Sequence, residues 1–89
     1  MREHRLKCWV HYFDAIERGE KTFEVRRNDR DFVKGDVLIL ERFSPELGYL
    51  DKSVRRTVTY ILHGGQFGIE PGYVVMALAE PAVKEPERP

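Results

Sequence analysis

The chain contains few of the features that most easily assign a small protein to a class. Its 89 residues include a single cysteine, and 15 basic residues balance 15 acidic ones. One cysteine, Cys8, excludes an internal disulfide and fits a reducing compartment. Because the net charge is zero, no overall field attracts nucleic acid, and any phosphate contact must come from a local cluster of Lys or Arg.

Long apolar runs are also missing. No stretch approaches the roughly eighteen apolar residues that cross a bilayer, and the first residues offer no apolar segment typical of a secretory signal. We therefore expect no transmembrane segment, no membrane partner and a cytoplasmic location. The length corresponds to one small domain with a modest core.

The common site motifs are absent from the sequence. The three histidines, His4, His11 and His63, are spread along the chain, and no H-x-x-x-H or C-x-x-C spacing occurs. There is no G-x-S-x-G, no P-loop and no G-x-G-x-x-G. We therefore expect neither a metal nor a cofactor.

The hydropathy pattern predicts the order strand, helix, four strands. His4 to Cys8 is the first predicted strand. A helix follows, with an apolar stripe expected to pack on a sheet, formed by Trp9, Tyr12, Phe13 and Ile16. The later predicted strands cover residues 21–27, 37–40, 53–63 and 73–78. Residues 41–51, with Pro45 and Gly48, are expected to form a loop or an irregular hairpin.

Two details refine this prediction. In the fourth strand Val54, Val58, Tyr60 and Leu62 share one register, and Arg56 interrupts it, which favours a nearby bulge. Beyond residue 80 a tail with three prolines is expected to be disordered. The resulting fold class is α+β: residues 1–80 form a small, strongly curved sheet of about five strands, closed into a barrel and capped by the helix that follows the first strand.

The stretch from Gly19 to Arg30 offers the best candidate site. Gly19 predicts the end of the helix, and residues 28–31 predict a turn. Between these corners Phe23 and Val25 alternate with a polar face, where we expect function, formed by Thr22, Glu24 and Arg26. With Lys21 at its entrance, this face favours an ionic binding site over a catalytic one, because a nearby carboxylate tends to keep a lysine charged.

The glycine-rich stretch from His63 to Gly68 allows two interpretations. Glycine lets a ligand approach the backbone closely, which predicts a binding loop that includes His63 and Gln66. The alternative is a flexible connector, with Phe67 tucked into the core.

The run F-D-A-I-E-R-G-E-K-T-F-E-V-R-R-N-D-R-D-F-x-x-G-D, from Phe13 to Asp36, resembles small ASCH domains of the PUA-like superfamily, in a bacterial and phage branch of unknown function. The likeness continues through residues 56–68 and 72–76. It implies a pseudo-barrel with the helix at one end and a cleft around Gly19, Lys21 and Thr22. It also implies a role with RNA or modified bases.

Some ASCH proteins similar to this chain are amidohydrolases that deacetylate N4-acetylcytidine. They use the lysine of a G-x-K-T motif, a threonine two positions beyond that motif's threonine, and a distant glutamate. The likeness places Lys21 at the lysine, while Glu24 occupies the position of the nucleophilic threonine. The segment that supplies the distant glutamate has no clear counterpart here.

Three hypotheses follow. The first is a module for RNA or a modified nucleoside, in which Lys21, Arg26 and Arg30 contact phosphate while Glu24 and the loop with His63 and Gln66 contact a base. In this hypothesis Phe67, Trp9 or Tyr73 supplies a stacking face for the base; the alternative for these aromatic residues is core packing. The second is a small amidohydrolase in which Lys21, Thr22 and Glu24 act on an acylated nucleoside. The third is a protein-interaction module that uses an exposed strand edge.

Overall fold

The computed structural model describes residues 2–80. It contains six elements, in the predicted order of strand, helix and four strands: β1 (Glu3–Trp9), α1 (Val10–Glu17), β2 (Phe23–Arg27), β3 (Val37–Ser44), β4 (Gly48–His63) and β5 (Tyr73–Ala79). The tail expected to be disordered lies outside the described residues. Among residues 2–80 no helix is both long and apolar enough to span a membrane.

The five strands form one curved sheet in the order β1-β3-β4-β5-β2. Only β1 and β3 run parallel, and the other three pairs are antiparallel. The result is a half-barrel with one helix, so the expected α+β barrel-like class is confirmed at that level. The edge strands β1 and β2 face each other across a gap, here called the seam, which side chains of Arg26 and Arg30 bridge by donating to β1 carbonyls.

The core fills the concave side of the half-barrel. Strand alternation turns Leu6 of β1 and Leu40 of β3 inward as opposed partners, and Val74 and Met76 of β5 are fully buried. The predicted strand at residues 37–40 is buried on both faces, as expected. The helix contributes Phe13 and Ile16 to this core cluster.

Part of the predicted helical stripe is wrong. Trp9 is the last residue of β1, and Trp9 and Tyr12 remain 53% and 55% exposed. The alternation that buries Cys8 turns Trp9 outward, and a helix of eight residues presents only two turns to the sheet. Phe13 and Ile16 are therefore the stripe residues that reach the core, and two aromatic rings are left at the surface.

Polar contacts fix the helix on the sheet. Arg42 of β3 donates two hydrogen bonds to the Asp14 carboxylate, at 2.9 and 3.1 Å. Arg56 of β4 faces inward opposite Leu38 and donates to the carbonyl of Ile16 at 3.1 Å, which satisfies a carbonyl at the helix C-terminus. Gly19 ends this region with a φ of 82°, as predicted.

Strands β3 and β4 correct the prediction for residues 41–51. They form a hairpin that continues to Ser44 and resumes at Gly48, with a register shift between Glu41 and Phe43. The irregular-hairpin alternative is therefore the right one. The Ser44 hydroxyl accepts hydrogen bonds from the backbone N–H groups of Glu46 and Leu47, which closes the turn.

The bulge predicted in β4 lies between Val58 and Tyr60. Because a bulge inserts one residue, it reverses the alternation beyond it. Ile61, and not Tyr60 or Leu62, then packs against the core, and Tyr60 is 63% exposed. The expectation that Tyr60 shares an inward register with Val58 is wrong for this reason.

Asp36 anchors the opposite end of the sheet. Its carboxylate is fully buried and accepts hydrogen bonds from His4 Nε2 at 2.9 Å, from Val33 N–H at 3.0 Å and from Arg2 N–H at 3.2 Å. Burial raises the pKa of this carboxyl, but the hydrogen bonds from Val33, His4 and Arg2 outweigh burial and hold the pKa below its ordinary value. The charged form is thus the one that the fold stabilises.

We expect Asp36→Ala to lower the free energy of unfolding by about 3 kcal/mol at pH 7, because it leaves buried donors without an acceptor. Since the folded-state pKa is lowered, this contribution is complete above the unfolded-state pKa near 4 and is lost as the pH falls through the folded-state pKa. Urea unfolding of both proteins at several pH values measures it. A difference in stability that grows toward low pH would contradict the assignment.

Candidate functional site

A buried carboxylate lies at the centre of the candidate site. Glu24 on β2 is only 4% exposed. Lys21 Nζ contacts its Oε1 at 3.0 Å, and Arg26 Nε contacts its Oε2 at 2.9 Å. Both oxygens are therefore paired with cations, which is the arrangement that makes a buried carboxylate tolerable.

The local fold explains why the polar face of β2 points inward. Glu24 is paired with Met76 and Arg26 with Val74, both buried residues of β5, so the two polar side chains share their concave face. Phe23 and Val25 alternate to the convex face and are 44% and 51% exposed. The predicted polar face of β2 is thus real, and it covers the core beside the seam.

The seam is held together by side chains and not by backbone pairing. Arg26 Nη2 donates to the carbonyl of Lys7 at 2.7 Å, and Arg30 Nη1 donates to the carbonyl of Arg5 at 3.3 Å. On the other side, Lys21 Nζ donates to the carbonyl of Phe23 at 2.8 Å. The same cations that neutralise Glu24 therefore also satisfy edge carbonyls of β1 and β2.

A cavity of about 540 Å³ opens along the seam, here called the seam pocket. Four basic side chains and one carboxylate line it, together with three aromatic rings, a cysteine and a valine. The lining residues are Lys7, Cys8, Trp9, Tyr12, Lys21, Glu24, Val25, Arg26, Arg27 and Tyr73. Lys21 Nζ lies 5.4 Å from the centre of the Tyr12 ring, a cation–π distance.

Cys8 forms part of the pocket wall but is only 3% exposed. Burial, reinforced by the negative charge of Glu24, raises the pKa of the thiol from 9.0 to about 11, although Arg26 and Lys21 oppose this. The thiol is therefore protonated at neutral pH and acts as a small apolar side chain.

The structure does not bring all the predicted site residues together. Lys21, Glu24 and Arg26 meet at the seam pocket. Thr22 lines a smaller neighbouring cavity of about 150 Å³ with Lys21 and Arg56. Arg30 bridges to β1 outside the lining of the pocket.

Of the predicted loop residues, His63 is the last residue of β4 and Gln66 lies between β4 and β5. His63 is paired with Val74, on the side of β5 opposite to β2, and Gln66 Nε2 donates to the His63 carbonyl at 2.9 Å. Neither residue lines the seam pocket. Phe67 is 83% exposed, so its expected place in the core is wrong.

Gly64 in this stretch is approached by the chain's own backbone. A Cβ at this position would lie 2.0 Å from the carbonyl oxygen of Glu70, and the Gly64 N–H donates to the carbonyl of Tyr73 at 2.8 Å. Close backbone packing therefore accounts for this glycine.

The pocket lining also includes Lys7, Trp9, Tyr12, Arg27 and Tyr73, of which sequence reasoning named only Trp9 and Tyr73, as possible stacking faces. Strict alternation outward from Cys8 would have placed Lys7 and Trp9 on the surface beside the site. No local sequence pattern indicates that these residues share one pocket with Lys21 and Glu24, because that depends on β1 and β2 meeting across the seam.

Among residues 2–80 no group of three or more His, Cys, Asp or Glu side chains is arranged to hold a metal ion. The fold and the site thus define a small α+β half-barrel domain whose open edge carries a charged, aromatic pocket. A family model described as "Domain of unknown function (DUF3850)" matches residues 3–78, and the chain belongs to this family.

One curated relative is the "Uncharacterized 12.9 kDa protein in GpA 3'region" of Escherichia phage P2. It is 40% identical over 40 residues, which cover 45% of this chain and 37% of the phage protein. The matched segment thus spans little more than a third of the relative's length.

We expect Glu24→Gln to lower the free energy of unfolding by about 3 kcal/mol, because it leaves two partly buried cations without their counter-charge. Glu3→Gln is the matched control, since Glu3 pairs with Arg55 where both side chains are half exposed, and such pairs contribute at most about 1 kcal/mol. Chemical denaturation of the three proteins gives the comparison. Equal losses would show that the buried ion pairs do not hold the seam.

We expect the Cys8 thiol to react with an alkylating reagent at pH 8 about a hundredfold more slowly than an unperturbed thiol. A pKa near 11 in place of 9.0 lowers the thiolate fraction by about that factor. Iodoacetamide labelling followed by mass spectrometry measures the rate, and the urea-unfolded chain is the control. Equally fast labelling of the folded protein would contradict the raised pKa.

Proposed function

We propose that this domain binds RNA or a modified nucleoside in the seam pocket. The observation that carries the proposal is the exposure of Trp9 and Tyr12 at the mouth of a pocket that also holds the Lys21, Glu24 and Arg26 cluster. Exposed aromatic rings beside cations are the features with which proteins bind unpaired bases and their phosphates. The likeness of residues 13–36 to ASCH domains of the PUA-like superfamily supports the same ligand class.

The size and lining of the pocket suit such a ligand. Its volume of about 540 Å³ falls in the range of roughly 300 to 1,000 Å³ that is usual for small-molecule sites. The aromatic side chains of Trp9 and Tyr12 come from the end of β1 and the first turn of α1. They offer stacking faces near the positive side chains, so a planar base and a negative group can be held at once.

The contacts at the seam favour binding over amide hydrolysis. Lys21 Nζ donates to the Phe23 carbonyl and to Glu24, so this amine serves as a hydrogen-bond donor in the structure. Both Glu24 oxygens are engaged by cations. The hydroxyl-bearing candidate, Thr22, belongs to the lining of the neighbouring cavity and not of the seam pocket.

The test is a low-salt titration with short single-stranded RNAs and with free nucleosides that include N4-acetylcytidine, followed by the fluorescence of Trp9, the chain's one tryptophan. We expect Tyr12→Ala to weaken binding by about 1–3 kcal/mol, the usual contribution of a stacked base. Tyr60→Ala is the matched control, because Tyr60 is equally exposed but lies on the convex face of β4.

Three outcomes are informative. Binding that Tyr12→Ala weakens and Tyr60→Ala leaves unchanged supports the proposal. Release of acetate from N4-acetylcytidine, lost in Lys21→Ala, would move the hydrolase to the front. Absence of binding by every probe at low salt would overturn the nucleic-acid proposal.

A further inference from the structure

Two basic residues of the seam pocket form no ion pair within the part of the chain that the structure describes. Within residues 2–80 the ion pairs involve Lys21 and Arg26 but neither Lys7 nor Arg27. Lys7 Nζ lies 4.4 Å from the centre of the Phe43 ring. Arg27 lies 5.1 Å from the centre of the Tyr73 ring and donates to the Tyr73 hydroxyl at 3.3 Å. Among residues 2–80 both cations thus contact aromatic rings and make no ion pair.

These two residues flank the seam from opposite sides. Lys7 lies on β1 between the buried Leu6 and Cys8, so its side chain leaves the convex face of the strand. Arg27 follows the exposed Phe23 and Val25 in the alternation of β2 and leaves the convex face as well. Both line the same pocket. Lys7 and Arg27 therefore lie at the outer mouth of the pocket, while the Lys21, Glu24 and Arg26 cluster lies on the concave side.

We propose that Lys7 and Arg27 form a phosphate subsite at the mouth of the seam pocket, so that its ligand is a phosphate ester of a nucleoside and not a free nucleoside. This inference rests on the proposed function and narrows it. A guanidinium and an ammonium that line one pocket from two strands suit a phosphate, because each donates charge-assisted hydrogen bonds to its oxygens. Trp9 on the same edge strand lies within reach of the attached base.

The proposed subsite differs from the sequence-based expectation that Lys21, Arg26 and Arg30 contact phosphate. Lys21 and Arg26 already donate to Glu24 and to edge carbonyls. Arg30 donates to the carbonyl of Arg5. Glu24 offsets one of the two positive charges of Lys21 and Arg26, and both side chains donate to it. Neither Lys7 nor Arg27 has such a carboxylate partner among residues 2–80.

The experiment compares three probes by Trp9 fluorescence at low salt: the four common ribonucleosides, their 5′-monophosphates, and a six-nucleotide single-stranded RNA without a terminal phosphate. We expect the monophosphates or the RNA to bind at least about tenfold more tightly than the nucleosides. Arg27→Ala and Lys7→Ala should each weaken phosphate-ester binding about ten- to a hundredfold, the usual range for a charge-assisted contact, and leave nucleoside binding unchanged.

The controls separate a phosphate contact from a general effect of charge. Lys34→Ala removes one positive charge at an exposed position that does not line the seam pocket and should leave every affinity unchanged. Arg27→Lys keeps the charge and should restore part of the affinity. On the RNA, each alanine variant should reduce the slope of log affinity against log salt by about 0.7.

The outcomes distinguish this inference from the function on which it rests. Preference for monophosphates over the RNA identifies a terminal phosphate, and preference for the RNA identifies its phosphodiesters; both support the subsite. Nucleosides that bind as tightly as their monophosphates, or full affinity in Arg27→Ala and Lys7→Ala, would overturn the subsite and leave nucleoside binding standing. Failure of all three probes would overturn both.

Discussion

The ion pairs of Glu24 are the interaction on which the open side of this domain depends. A carboxylate that is 4% exposed is costly unless its charge is neutralised by a cation. Lys21, just before β2, and Arg26, on β2, both form ion pairs with it. Because Arg26 also donates to the carbonyl of Lys7, the requirement to neutralise Glu24 places a cation where it can tie β2 to β1. The side chain of Arg26 thus both neutralises Glu24 and fixes the position of β2 relative to β1.

The half-barrel buries two carboxylates, Glu24 and Asp36, and their hydrogen-bond partners differ. At Asp36 the buried carboxylate accepts hydrogen bonds from the backbone N–H groups of Val33 and Arg2 and from His4, and the Arg2 guanidinium contacts it at 3.4 Å. At Glu24 the donors are two cations. The Asp36 arrangement closes the turn before β3 against the start of β1. Glu24 and its two cations line the seam pocket, so their charges face the pocket interior.

Most of the fold and about half of the residues of the site can be predicted from the sequence. Element order, the buried strand at residues 37–40 and the ends marked by Gly19 follow from local patterns, since alternation and turn chemistry are short-range. The bulge after Val58 reverses the faces of Tyr60 and Ile61, and one inserted residue leaves little trace in hydropathy. Lys21, Glu24 and Arg26 were found because they are close in sequence. Assigning Lys7, Trp9 and Arg27 to the same pocket required knowledge that β1 and β2 meet, which depends on the order of all five strands.

The contact between β1 and β2 at the seam is of a different kind from the four other contacts between strands. Between β1 and β2 the described links are side-chain donors, chiefly those of Arg26 and Arg30, whereas every other neighbouring pair is joined by a backbone ladder. Long side chains reorient about several single bonds without moving the main chain. The opening between β1 and β2 is therefore bounded by contacts that depend on side-chain rotamers, while the backbone ladders fix the register of the rest of the sheet.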